Sequence, residues 1–257
     1  MILPLAFLLS ILSSAPVKAA LHTEAVAYKQ GGVELEGYLA YDDAVKGPRP
    51  GVFVVHEWWG HGPYVRRRAE QLAKLGYIAF AADMYGKGVY AKDHEEAGKL
   101  SGAYRSDREL MRARALAGLE ILRKNPLADP KRLAAIGYCF GGTTVLELAR
   151  AGTDLAGVVS FHGGLDTPNP KATAGVKAKV LALIGADDGF ISAAIPAFEE
   201  EMRNAKADWQ LVVYGGAVHS FTVNEAGNDP STGMAYNADA DRRSWQAMLD
   251  FFREIFK

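Results

Sequence analysis

The sequence predicts an α/β fold: one mostly parallel central sheet with helices on both faces. Three observations carry that expectation. Apolar runs of strand length alternate with helix-period segments along nearly the whole chain. Several of those runs are continuously apolar instead of alternating, as in strands covered on both faces. No repeat, low-complexity tract or linker divides the chain, so its 257 residues suit a single domain, with 49% hydrophobic content to fill a core.

Residues 1–19 stand apart from that domain. Ile2 to Leu12 (ILPLAFLLSIL) is apolar except for Pro4 and Ser10, and Ser13, Ser14 and Pro16 break the run. Val17 and Ala19 put small residues at −3 and −1 before Ala20, the pattern of a secretory signal peptide cleaved after Ala19. The run is too short to span a bilayer. The reading implies a mature domain of residues 20–257 that is exported, periplasmic or secreted. An uncleaved apolar anchor is the alternative, because no basic residue precedes the run.

In the mature chain, Glu24–Lys29 and Val33–Tyr41 flank Gln30-Gly31-Gly32 and read as an antiparallel hairpin at a sheet edge. Gly51–His56 (GVFVVH) is a β-branched buried strand. Pro63–Gly76 follows as a helix, with proline at its first turn and glycine at its end. Tyr77–Ala82 is a strand ending at Asp83, and Asp107–Lys124 is a helix with an apolar face of Leu110, Met111, Ala115, Leu119 and Leu122. Arg132–Tyr138 is a strand, Thr143–Arg150 a helix, and Leu155–His162 and Lys179–Ile184 are strands. Helix Ala193–Ala205, strand Trp209–Tyr214 and a terminal helix Ala240–Phe256 complete the series.

Composition excludes several function classes. A formal charge of −1 gives no reason to expect nucleic acid or an anionic membrane as partner. One cysteine excludes an internal disulfide and any multi-cysteine metal site. That cysteine sits in Gly137-Tyr138-Cys139-Phe140-Gly141-Gly142, between a strand and a helix. The pattern fits a nucleophile elbow with Cys in the usual place of Ser. Glycines at 137 and 141 leave room for a tight turn, and the following helix points its N-terminus at the sulfur, favouring thiolate. A buried structural cysteine is the plainer alternative.

In such a sheet, chemistry gathers where strands end at their carboxyl edge. Those ends supply Glu57, Asp83, Cys139, His162, Asp187–Asp188 and His219. Cys139, Asp188 and His219 fall in the order nucleophile, acid, histidine. A sulfur attacks an acyl carbon, an imidazole moves protons near neutral pH, and a carboxylate fixes the imidazole's tautomer. Asp187 competes with Asp188, but the turn register favours Asp188. His56-Glu57-Trp58-Trp59-Gly60-His61 superficially suggests a zinc motif. Its histidines are five residues apart, which on a helix would set them about 140° apart and unable to share a metal. No metal and no cofactor is expected. The same loop can instead supply an oxyanion N–H from Trp58, beside that of Phe140.

These residues resemble the dienelactone hydrolase family over nearly all of the mature chain. The shared motifs are G-Y-C-x-G-G at 137–142, His56-Glu57-Trp58-Trp59-Gly60, G-x-x-D at 185–188 and His219-Ser220-Phe221. The resemblance implies an α/β-hydrolase fold without a large lid and a triad of Cys139, His219 and Asp188. It also implies that Glu57 holds the resting thiol and helps ionise it once substrate binds. The family's best-known members hold a substrate carboxylate with arginines. One such position is Val223 here and another falls near His94, leaving Arg105, Arg108 or His162 as substitutes. The run Arg66-Arg67-Arg68 reads as a solvated helix face.

The expected activity is cleavage of a small ester or lactone through a thioester, by a monomer or small homo-oligomer. Trp58, Trp59, Tyr85 and Phe190 are expected to form an apolar mouth. Two alternatives are a non-catalytic binding or scaffold protein on the same fold, and a thiol-dependent acyl transferase or redox enzyme. The absence of a second, resolving cysteine counts against the redox form.

Overall fold

A computed structural model describes residues 20–169 and 175–257. The anticipated leader at 1–19 lies outside them. The strands are β1 (Leu21–Gln30), β2 (Val33–Asp42), β3 (Arg49–Val55), β4 (Ile78–Ala82), β5 (Ala128–Tyr138), β6 (Gly157–Phe161), β7 (Lys179–Gly185) and β8 (Trp209–Tyr214). The helices are α1 (Pro63–Lys74), α2 (His94–Ser106), α3 (Arg108–Arg123), α4 (Phe140–Arg150), α5 (Ile195–Asn204) and α6 (Ala238–Ile255). Together the strands form one eight-stranded sheet in the order β1-β2-β4-β3-β5-β6-β7-β8. The β1–β2 and β2–β4 pairs are antiparallel and every other pair is parallel, as the edge hairpin and the buried apolar runs predict.

The strands sort their side chains by the period of two. On β3, Phe53 and Val55 join the core shared with α2, α3, α4 and α5, while Val52 and Val54 face the core shared with α1 and α6. All seven residues of β3 except Pro50 are buried. Its neighbour β5 starts four residues earlier than the apolar run suggests, at Ala128. A register shift at Pro50/Gly51 takes up the polar segment Asp129–Arg132.

Helix α2 is absent from the sequence reading. Gly98, Ser101 and Gly102 dilute its apolar period, and only Ala97, Ser101 and Tyr104 are buried. Its start is nonetheless capped, because the Asp93 side chain accepts the Glu96 N–H. Arg68 corrects a second expectation: it is buried, not solvated. It pairs with Asp241 of α6 at 2.5 Å and lies over the rings of Tyr64, Tyr138 and Trp245.

Candidate active site

The elbow forms where β5 meets α4. Cys139 caps the helix with φ 51° and ψ −110°, a conformation that costs a non-glycine residue about 1–3 kcal/mol. The crowding that forces this turn is visible at two glycines. A Cβ on Gly137 would lie 2.0 Å from the Gly141 carbonyl oxygen, and one on Gly141 would lie 2.3 Å from the Val55 oxygen. The second contact presses the start of α4 onto the end of β3, where Glu57 and Trp58 follow. The Cys139 N–H is held by the Phe161 carbonyl of β6 at 3.0 Å. As the first residue of α4, Phe140 has an N–H with no partner within the helix.

Two further loops converge on the sulfur. His219 Nε2 lies 3.1 Å from Cys139 Sγ, and His219 Nδ1 lies 2.8 Å from Asp188 Oδ2. Asp188, not Asp187, is the aligned carboxylate, and it is fully buried. Its loop is fixed locally: Asp188 Oδ1 accepts the Phe190 N–H and its carbonyl accepts the Ser192 N–H. Gly185 lets this loop meet the histidine loop, since a Cβ there would lie 2.3 Å from the Ala217 oxygen. The His219 backbone is stitched to residues 233–235 through the Gly233 carbonyl and the Ala235 N–H. Burial alone would push the imidazole down. The Cys139 sulfur and the Asp188 carboxylate outweigh that and raise it to about 10, so this geometry favours an imidazolium beside the sulfur.

Glu57 is buried beside the same loop, and its Oε1 accepts from Ser220 Oγ at 3.4 Å. No hydrogen bond joins it to Cys139 among the described residues, so the thiol-holding contact implied by the resemblance is not made here. The sulfur is turned toward His219 instead. Burial pushes the Glu57 carboxyl up to about 7 against the opposing pull of His219 and the Ser220 hydroxyl. The preceding His56 is a structural histidine. Its Nε2 accepts the Met84 N–H, which leaves Nδ1–H to donate to the Glu57 carbonyl and pin the loop. No cluster of metal-ligating side chains occurs among the described residues.

The model of the dienelactone hydrolase family matches residues 35–256. The chain belongs to the dienelactone hydrolase family. A dienelactone hydrolase-like promiscuous phosphotriesterase from metagenomic libraries is 39% identical, with a TM-score of 0.87 over 93% of this chain and 100% of its own. A Yersinia pestis protein provisionally named carboxymethylenebutenolidase is 31% identical over 87% of this chain and 85% of its own. Protein usf of Aquifex pyrophilus is 28% identical over 89% of this chain and 97% of its own. The dienelactone hydrolase family is hydrolytic, and this chain carries its fold over the full described sheet.

The expected pocket residues divide. Trp58 and Trp59 line a cavity of about 610 Å³ that opens beside Glu57 and Ser220. Phe190 is 67% exposed and stands edge-on to the His219 ring at 5.5 Å, outside that cavity but beside the site. Tyr85 is a correction: its buried ring lies behind the loop, where its hydroxyl donates to the Trp58 carbonyl at 3.0 Å. His162 is another. It is fully buried behind His219, and its Nε2 meets Thr222 Oγ1 at 2.7 Å, so it cannot anchor a substrate carboxylate. Arg108 is likewise buried and paired with Asp166.

Sequence reasoning missed Tyr64 and Tyr90, which line the cavity, and the network around Thr222. The Tyr64 hydroxyl lies 2.7 Å from Thr222 Oγ1, and Arg68 donates to the Thr222 carbonyl at 2.9 Å. An aromatic residue in the first turn of an amphipathic helix carries no signal of this in the sequence.

Proposed function

We propose that the protein hydrolyses carboxylic esters or lactones with Cys139 as nucleophile, His219 as proton carrier and Asp188 as the group that orients it. The observation that supports this most is the chain of two short contacts, 3.1 Å from sulfur to Nε2 and 2.8 Å from Nδ1 to carboxylate, on separate loops at one sheet edge. The thiolate forms a C–S bond to the carbonyl carbon while the carbonyl electrons move to oxygen. The N–H groups of Phe140 and Trp58 stabilise that oxyanion. Collapse expels the alkoxide, which takes the proton from the His219 imidazolium and leaves a thioester. A water then attacks, His219 accepts its proton, and the acid departs with regeneration of the thiolate and imidazolium. Glu57 biases the ionisation of this pair through its own charge, which appears as pH rises through about 7.

The test is turnover of activated aryl esters and lactones by the purified mature protein and by Cys139→Ala. Turnover falling to background in the variant, and inactivation of the parent by iodoacetamide that substrate slows, is the expected result. Unchanged turnover in Cys139→Ala would remove the proposal. A phosphotriester belongs in the same screen because one relative is a promiscuous phosphotriesterase.

We also infer export after cleavage behind Ala19. In support, the Ala20 nitrogen is held by the buried carboxylate of Asp42 at 3.1 Å, a contact suited to a new α-ammonium group. Mass spectrometry of the mature N-terminus tests it, and an intact Met1 would refute it.

A further inference from the structure

The cavity beside Glu57 and Ser220 has room for a ligand larger than a simple lactone. Its walls are mostly aromatic and aliphatic, with Trp58, Tyr64, Val65, Tyr90, Val223 and Met234. Two carboxylates border it: Glu57 at its buried end, and Glu225, which is paired with Arg67 at 2.5 Å. No arginine lines it. Its one lysine, Lys92, lies at the outer end, where it and the His94 imidazole are exposed. The His94 ring is occupied against Trp58 and Trp59, at 5.5 and 5.0 Å between ring centres.

We propose that this cavity selects uncharged esters with an aromatic or bulky apolar body and rejects esters that carry a carboxylate close to the scissile carbonyl. The proposal rests on the reading of Cys139 as nucleophile and names the substrate class for that site, which the cavity adjoins through Glu57 and Ser220, the neighbour of His219, without being lined by Cys139 itself. A carboxylate entering the inner cavity would shed its hydration without meeting a forked donor, and would come to rest near the Glu57 carboxyl. An uncharged aromatic body loses only apolar hydration and gains the faces and edges of Trp58 and Tyr64. The two substrate classes therefore separate by charge, in a cavity that would fit either by size.

The experiment compares the nitrophenyl ester of butyric acid with the nitrophenyl monoester of glutaric acid, using the mature protein at pH 8. The expected kcat/KM ratio favours the uncharged ester by at least about tenfold, a floor well below the cost of burying an unpaired charge. Val223→Lys and Met234→Lys each add a cation to an inner wall and should narrow or reverse that ratio. Val223 is buried, so Met234→Lys, on a partly exposed wall, guards against a folding failure. Equal or better turnover of the anionic ester by the parent protein would overturn the proposal. If Lys92→Met then abolished that turnover, the rim amine would be its anchor. An unchanged ratio in both folded lysine variants would also overturn it. Failure of the parent on both esters would instead count against the nucleophile reading.

Discussion

At the scale of single residues, the site is governed by two buried groups held away from their usual ionisation. The His219 imidazole is raised to about 10 by the sulfur and carboxylate on either side, so it is protonated while those partners are charged. Replacing Asp188 by Asn removes one of those partners and frees the ring to take the wrong tautomer. We expect kcat to fall by about a hundredfold or more per folded molecule, together with a lower thermal midpoint from the broken buried pair, read by steady-state kinetics and calorimetry. Glu57 titrates in the opposite sense to a salt-bridged carboxylate. Its folded-state value of about 7 lies above the ordinary 4.5, so the folded state binds the proton more tightly than the unfolded chain. Its contribution to stability is fully present below about pH 4.5 and is lost as pH rises through 7. Glu57→Gln has no such titration. It should therefore gain on the parent between pH 5 and pH 8, by at most about 3 kcal/mol. Urea unfolding at the two pH values checks this, and a parent-to-variant difference independent of pH would contradict it. That Cys139, Asp188 and His219 come together could be read from the sequence because each stands after a strand in a glycine-bearing turn. His162 faces away from the cavity because ending a strand does not say on which side of the sheet edge a side chain lies, and Tyr85 because an aromatic residue near a strand end can pack behind the loop as readily as line the mouth.

At the scale of elements, glycines decide how closely the strand ends approach. Gly137→Ala would place its Cβ against the Gly141 carbonyl, within backbone that is itself pressed on Val55. That contact has no flexible side chain to give way, so we expect a loss of about 3 kcal/mol or more and a misplaced sulfur. Gly189→Ala is the matched control: nothing lies within 4 Å of its added Cβ, and the change should stay within about 0.5 kcal/mol. Denaturant titration of the two variants separates steric crowding from a general intolerance of glycine loss near the site. The same elements show how far periodicity reaches. Strands such as β3 and β7 are continuous apolar runs and could be read directly, whereas α2 buries so little of its surface that its apolar spacing never rises above its glycines and serines. The arginine run on α1 looked solvated because charge pattern alone does not reveal that Tyr64, Tyr138 and Trp245 enclose the third of them.

Across the whole molecule, a buried arginine ties helices together on each face of the sheet, Arg150 on one and Arg68 on the other, and these two are wired to different things. Arg150 of α4 grips Glu201 of α5 at 2.7 and 2.8 Å, meets Glu147 at 3.1 Å, and donates to the Leu165 carbonyl at 2.7 Å. Arg112 of α3 shares Glu147 from outside, so α3, α4 and α5 are locked on one face. Arg68 of α1 grips Asp241 of α6 on the opposite face and also holds the Thr222 carbonyl, three residues from His219. Removing either leaves a carboxylate without its partner. For Glu201, with no other ion pair among the described residues, the cost should be about 3–5 kcal/mol. The double change Arg150→Met with Glu201→Leu should recover most of that loss, because it removes the stranded charge as well. The consequences for turnover should differ. Arg150→Met lowers the unfolding free energy but, on the proposed mechanism, leaves kcat/KM per folded molecule close to the parent value, since its contacts stop short of the loops that carry Cys139, Asp188 and His219. Arg68→Met loosens the loop that carries His219 and should lower kcat about tenfold or more at temperatures where it remains folded, an effect on positioning. Kinetics on samples whose folded fraction is known from parallel unfolding curves distinguishes the two. Equal losses of turnover from both substitutions would mean that the faces are coupled through the sheet, and that Thr222 does not transmit the constraint.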